Sequence, residues 1–257
     1  ARFDGQVFTL DFGSTRSWRY ETQTVGEILG NAVGPSLSVM LPAFIITTIV
    51  SIGVGLISAY FRGTLVDRAL MFFIVLGMSI SVLVFIILGQ YFGAYWLKEH
   101  WGIEWFATSG YERGGGLRKW VYYCALPVII DVVLVMGYDT RFYRAVMVEE
   151  TGRDYITTAV AKGATKPKIM FVHMLKNAMI PIITRIMISF PFLIGGSILL
   201  ETQFRIPGMG RTLIEAITNK DFPVIQAFTA VFAGVFVISN ILTDVLYALV
   251  DPRVRLS

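Results

Sequence analysis

The sequence predicts an all-α integral membrane protein. Three observations predict it. The 257 residues are 55% hydrophobic and only 16% charged, against about 45–50% and about 25% in soluble domains. The mean hydropathy is +0.65. Five apolar runs reach the roughly 20 residues a helix needs to cross a hydrocarbon core about 30 Å thick. The same figures exclude a disordered chain, a collagen and a disulfide scaffold. The single cysteine, Cys124, has no internal partner and sits in an apolar run, where a buried thiol is expected.

The first run covers residues 36–60. The second covers 69–97, long enough to tilt or overrun the bilayer. The third, 120–138, contains Pro127 and Asp131, the fourth is 181–200 and the fifth is 224–250. Internal Gly and Pro do not oppose these assignments, because neighbouring helices can re-satisfy a carbonyl that proline frees.

An odd number of spans puts the two termini on opposite sides, and basic residues orient them. One side carries Arg62, Arg68, the 141–176 stretch, Arg185, Arg253 and Arg255. The other carries Arg2, Arg16, Arg19, Lys98, Arg113, Arg118, Lys119, Arg205, Arg211 and Lys220, spread over longer loops. The denser side is predicted to be cytoplasmic, and the C-terminus with it. The net charge of +4 is therefore read as a topology signal and not as a nucleic-acid footprint. Residues 1–35 form a predicted external segment, and 36–257 the membrane domain. The first segment lacks a signal-like run, so a further helix is expected to precede it.

The loop at about 140–180 is too long for a simple connection between spans. Asp154 can cap a helix start, and Gly163 suits the left-handed position after its end. Ile156, Ala159, Val160 and Gly163 recur at i, i+3, i+4 and i+7, giving a helix of about two turns one small apolar face. Thr165 can cap a second helix with Pro167 in its first turn. A two-turn helix does not hold itself in water. It needs a cleft on a partner, the membrane surface, or an internal seat, and the pattern alone leaves these open.

At these residues the chain resembles a known family. Asp154, Tyr155, Ile156, Ala159, Ala161, Lys162 and Gly163, then His173, Leu175, Lys176, Asn177, Ala178 and Pro181, are similar to the cytoplasmic coupling loop of binding-protein-dependent ABC importer permeases. The resemblance is nearest to the dipeptide, oligopeptide and nickel subfamily, and to its first (B-type) permease subunit. Broader members carry Glu-Ala-Ala six residues before the glycine and Pro thirteen after it. Here those places hold Thr157, Thr158 and Ala159, and Lys176, a departure typical of the peptide subfamily. The segment Glu201, Phe204, Pro207, Gly208, Gly210 and Ala216, followed by Asp221, Pro223 and Val224, is similar to the subfamily's external segment before the last helix. Asp251-Pro252-Arg253 with Arg255 matches its C-terminal signature, and Asp11-Phe12-Gly13-Ser14 resembles the short motif after its first helix and external segment.

The resemblance implies a six-helix permease fold of which five helices are present here, in a bacterial or archaeal cytoplasmic membrane. It implies half of a pathway for peptides, shared with a second permease, fed by an external binding protein and driven by two cytoplasmic ATPases. ATP and magnesium would be bound by those ATPases, with no cofactor, metal or catalytic residue in this chain. The coupling contact is expected at Asp154, Tyr155, Ile156, Ala159, Val160, Ala161, Lys162 and Gly163. His173, Asn177 and Pro181 would support the loop. Glu201, Phe204, Pro207, Gly208 and Gly210 would belong to an external gate within about 204–223.

The residues themselves add little chemistry. No Gly-x-x-x-x-Gly-Lys-Ser/Thr loop is present, and Gly114-Gly115-Gly116 reads as a flexible turn. A single His173 without a second ligand makes a poor metal site. Asp131 and Asp244 lie in spans, where a charge costs roughly 2.5–3.5 kcal/mol on insertion scales. Each is either a pathway residue or a structural hydrogen-bond partner. Asp139, Arg141 and Arg144 are expected as interfacial anchors. An ATP-independent secondary transporter using Asp131 and Asp244 is the alternative class, although the inverted repeats that would favour it are not evident. Nickel or another small solute is the alternative cargo.

Overall fold

A computed structural model describes residues 24–114 and 116–250. The Asp11–Ser14 and Asp251–Arg255 motifs lie outside the described residues, as does most of the 1–35 segment. The described chain is helical. Its elements are α1 (Val25–Tyr60), α2 (Leu65–Met78), α3 (Val82–Gln90), a π-helical turn (Tyr91–Trp96), α4 (Leu97–Trp101) and α5 (Gly116–Glu150). They continue with α6 (Asp154–Ala161), a helical turn (Lys166–Lys168), a second π-helical turn (Ile169–Met174), α7 (Leu175–Gly195), α8 (Ile198–Phe204), α9 (Met209–Thr218) and α10 (Phe222–Val250). Among the described residues four stretches are long and apolar enough to span a membrane, or five if the bent pair 65–78 and 82–101 counts as one.

The first helix starts at Val25 and not at residue 36. The reason is a reciprocal cap: the Glu27 N–H donates to Thr24 Oγ1 at 3.3 Å, and the Thr24 N–H donates to Glu27 Oε2 at 2.9 Å. A Thr-x-x-Glu box of this kind satisfies two amide groups that otherwise have no partner. Pro35 and Pro42 are accommodated within the helix.

The 69–97 run is not one straight helix. It bends by 96° between Met78 and Val82. Here the Ser79 hydroxyl donates to the Val75 carbonyl at 2.9 Å, and Ser81, a residue type that favours helix starts, precedes α3. The run predicted at 120–138 is part of a 35-residue helix, so residues 140–150 belong to α5 and not to a loop. The fourth run ends earlier than expected, because Gly196 takes a φ of +71° and breaks the chain between α7 and α8. The fifth matches α10 closely.

The chain divides into two compact units. One gathers the described residues up to 43 with Leu83–Asp131 and Ser189–Ser239. Its core is formed by Val25, Ile28, Leu29 and Ala32 of α1, Met209 and Ala216 of α9, and Val224, Ala227 and Phe228 of α10. Small residues let backbones approach, as is usual between membrane helices. A β-carbon at Gly89 or Gly93 would stand 2.7 Å from the Ile130 or Leu126 side chain.

The other unit contains Phe44–Val82, Val132–Ile188 and the described residues from Asn240. Leu56 and Ala59 of α1, Tyr143 and Met147 of α5, Ile156 of α6, Met170 and Met174 of the second π turn, and Ala178 and Ile182 of α7 form its core. Two ion pairs brace it. Arg144 Nη2 lies 2.7 Å from Asp67 Oδ2, and Arg185 Nε lies 2.9 Å from Asp139 Oδ1. Both aspartates are buried. The expectation that Asp139 and Arg144 are interfacial anchors is therefore corrected: they tie helices together. A charge in a low-dielectric setting is tolerated when it is paired in this way.

Candidate functional site

The site is built on α6. Its N-cap is Arg153, with no side-chain capping bond, and Asp154 is the first helical residue. Asp154 therefore does not cap the helix as expected. It places a carboxylate in the first turn, where the helix dipole favours negative charge. The far end is closed by backbone. The Gly163 N–H donates to Val160 O at 2.9 Å and the Ala164 N–H to Ala159 O at 3.0 Å. This is a Schellman cap, and it requires the left-handed φ of +75° that Gly163 adopts. Thr165 then stands at the N-cap of the next helical turn, with Pro167 in that turn.

The apolar face of α6 is divided. Ile156 and Ala159 are buried, and Ile156 packs into the Tyr143–Met147–Met174 core. Val160 is 57% exposed, and Asp154, Thr157, Thr158, Ala161, Lys162 and Gly163 are exposed as well. The helix thus has an internal seat and a separate outward surface. Of the residues expected at the coupling contact, Ile156 is taken into the core, Ala159 is buried at the edge of a groove along the helix, and Val160 is exposed.

Tyr155 fixes the orientation of this seat. Its hydroxyl hydrogen-bonds to Glu150 at the end of α5 and meets the Asn177 side chain on α7. Burial and the Glu150 bond favour the neutral phenol and push the Tyr155 hydroxyl up to about 12. Asn177 Nδ2 also donates to the His173 carbonyl at 2.9 Å. His173 lies in the π-helical turn and Pro181 inside α7. A groove of about 530 Å³ runs along α6, lined by Tyr155, Thr158, Ala159, Lys162, Gly163, Thr165, Lys168 and His173. Glu150 was not anticipated from sequence, since it was placed in a loop and not at a helix end.

The second cluster surrounds Glu201, which is wholly buried. Ser36 Oγ donates to Glu201 Oε1 at 2.6 Å and accepts from the Met209 N–H at 2.7 Å. The Arg211 N–H donates to Glu201 Oε2 at 3.1 Å, and the Gly210 and Ser197 amides also reach this carboxylate. The carboxylate therefore satisfies the amino end of α9, where the helix leaves N–H groups unpaired. Gly208 is the α9 N-cap, and a β-carbon there would stand 2.5 Å from both Glu201 and Ser36. Phe204 is buried, its carbonyl accepting from the Gly110 N–H at 2.7 Å, while Pro207 is exposed. Structure thus brings Glu201, Gly208 and Gly210 into one cluster and adds Ser36, which the sequence did not single out.

Asp131 lies partly buried on α5, and Asp244 is exposed on α10. Among the described residues no group of three His, Cys, Asp or Glu side chains is arranged to hold a metal ion.

Several helices of membrane-crossing length, with a short amphipathic helix seated against their ends, are the features of a multi-pass membrane protein. The comparisons identify which kind. Residues 51–256 match the model of the "binding-protein-dependent transport system inner membrane component" family, and the chain belongs to that family. A Sinorhizobium fredii protein named "Probable peptide ABC transporter permease protein y4tP" is 36% identical over 230 residues, covering 89% of this chain and 72% of the relative. The glutathione transport system permease protein GsiC of Salmonella paratyphi A is 31% identical over 255 residues, covering 99% and 78%. A chain of the MetNI methionine ABC transporter, solved in inward-facing conformations, superposes with a TM-score of 0.66 at 14% identity, over 88% of this chain and 97% of that one. The last likeness concerns the fold. The chain is thus a transport component of the inner membrane, of the permease kind that the coupling-loop residues resemble.

Proposed function

We propose that this chain forms half of a transmembrane pathway for peptides in an ATP-driven importer. A second permease supplies the other half. An external binding protein delivers cargo, and two ATPases on the cytoplasmic side bind ATP and magnesium. The chain itself contributes no catalytic group. In this reading residues 140–180 and the C-terminus face the cytoplasm, and the Glu201–Gly210 cluster faces outward as part of the gate. The names of the relatives, covering peptides and glutathione, support a peptide cargo over nickel.

The observation that carries the proposal is the mount of α6. A helix of eight residues is capped at its glycine end, seated by Ile156 and tied by Tyr155 to Glu150 and Asn177. Its other surface, around Thr157, Val160 and Ala161, is exposed. Force applied there passes through a rigid seat into α5 and α7. Such a lever does work only if the permease has two packings that its ATPases prefer differently.

The test is copurification from native membranes in mild detergent, with associated chains identified by mass spectrometry. A second permease and ATPases are expected, and both ATPases should be lost in Val160→Trp while the variant still inserts. A lone chain or homo-oligomer, under conditions that keep other assemblies intact, overturns the proposal and brings forward ion-coupled transport through Asp131 and Asp244.

A further inference from the structure

Beyond that reading, the end of α1 carries a further feature. Leu56, Ile57, Tyr60 and Phe61 face Pro167, Met170 and Phe171 across an apolar groove of about 190 Å³. Its rim is exposed: Ile57 is 49%, Phe61 39% and Phe171 62% accessible. Lys166 stands at this groove, its Nζ lying 5.1 Å from the centre of the Tyr60 ring. Arg62 follows Phe61 directly. Among the described residues neither Lys166 nor Arg62 has an acidic partner, whereas the neighbouring Asp67 is taken by Arg144 and Glu149 and Glu150 by Arg153.

We infer that this groove is a binding site for one anionic phospholipid. The apolar run 36–60 ends at Tyr60 and the candidate span Lys166–Phe204 begins at Lys166, which together point to a groove near the level where headgroups meet hydrocarbon. An open apolar slot at that depth suits an acyl chain. Lys166 at its edge, without a counter-ion, suits a phosphate, and the exposed Arg62 follows the groove residue Phe61 in sequence; each cation near a membrane surface contributes about fivefold in affinity. The charge selects an anionic lipid, and the apolar wall selects a lipid over a soluble anion. The bound lipid would join the end of α1 to the turn that leads into the second π-helical segment.

The test uses the full chain, with whatever subunits accompany it, delipidated in mild detergent and exposed to vesicles of equal parts phosphatidylglycerol and phosphatidylcholine. Retained lipid is counted by native mass spectrometry. Phosphatidylglycerol should be retained in preference and resist displacement by excess inorganic phosphate. Lys166→Gln and Arg62→Gln should each lower its retention about fivefold. Phe171→Ser should lower it as well, and Lys220→Gln, which belongs to the other compact unit and does not line the groove, should not. All these side chains are exposed, and an unchanged melting temperature verifies folding of each variant. Equal retention of the two lipids, displacement by inorganic phosphate, or full retention in both cation variants overturns the inference. Loss of an associated protein chain in those variants, with lipid retention unchanged, would overturn it too and assign the patch to that protein.

Discussion

Ser36 on α1 and Glu201 on α8 are 165 positions apart and share a buried 2.6 Å hydrogen bond. The serine hydroxyl also accepts from the Met209 N–H at 2.7 Å, so one small side chain joins three helices. Ser36→Ala leaves a carboxylate lone pair and an amide short of a partner, and should cost about 1–3 kcal/mol. Gly208→Ala should cost more, because its β-carbon would enter the space that Glu201 and Ser36 occupy. Thermal unfolding in detergent reads both, and a Gly208→Ala variant as stable as the parent would contradict the packing described.

The Asp67–Arg144 pair should behave as a buried unit. Ser58 Oγ donates to the same carboxylate at 2.6 Å and the Gly63 N–H at 3.0 Å. Asp67→Asn or Arg144→Gln alone should destabilise by about 3–5 kcal/mol, and the joint replacement Asp67→Leu with Arg144→Met by much less. A double-mutant cycle on unfolding checks this, and additive losses would show that the two groups are not coupled.

Tyr155 makes the seat of α6 sensitive to high pH. Its folded value of about 12 stands above the ordinary 10.0. The favoured form is therefore the neutral phenol. Its contribution is complete below pH 10 and is lost as pH rises through about 12. A spectrophotometric titration of phenolate should lose one late-titrating group in Tyr155→Phe. In the same variant, hydrogen exchange in residues 154–161 should rise even at neutral pH. No change in exchange would remove Tyr155 from the mount.

Gly163 separates backbone strain from bulk. A β-carbon there meets nothing within 4 Å, yet φ is +75°. Asparagine tolerates this conformation and a β-branched residue does not. Gly163→Asn should thus retain most of the stimulation of ATP hydrolysis by cargo, and Gly163→Val should lose most of it with insertion intact. Equal activity in both would show that the cap is dispensable.

Asp131→Asn removes a charge without changing shape. If Asp131 lines the pathway, uptake of peptides with a free amino terminus should fall several-fold relative to amino-blocked peptides, with the assembly intact. Unchanged uptake of both classes would leave Asp131 a structural residue.

The helical class was legible because an apolar run of sufficient length has few alternatives in a bilayer. The Schellman cap was legible because only glycine adopts its backbone easily, and Gly163 followed a short periodic stretch. The Thr24–Glu27 box was equally present in the sequence, but a reading led by hydropathy started the helix where the chain became apolar, not where its amide groups became capped. The bend after Met78 escaped for a related reason: two serines hardly lower the mean hydropathy of a long run, yet one of them redirects a hydroxyl to a backbone carbonyl.

By itself the sequence determined a multi-span membrane protein, the place of its short polar helix, and the motifs that mark its family. These depend on composition and local spacing, which act within a few residues. Only the tertiary structure decided that Ile156 and Ala159 turn inward while Val160 remains outside, that Arg144 seeks Asp67 and Arg185 seeks Asp139, and that Ser36 completes the Glu201 cluster. Those outcomes are partnerships between distant positions. A buried polar group must be satisfied, but which of many chemically suitable partners does so is fixed by how the helices pack.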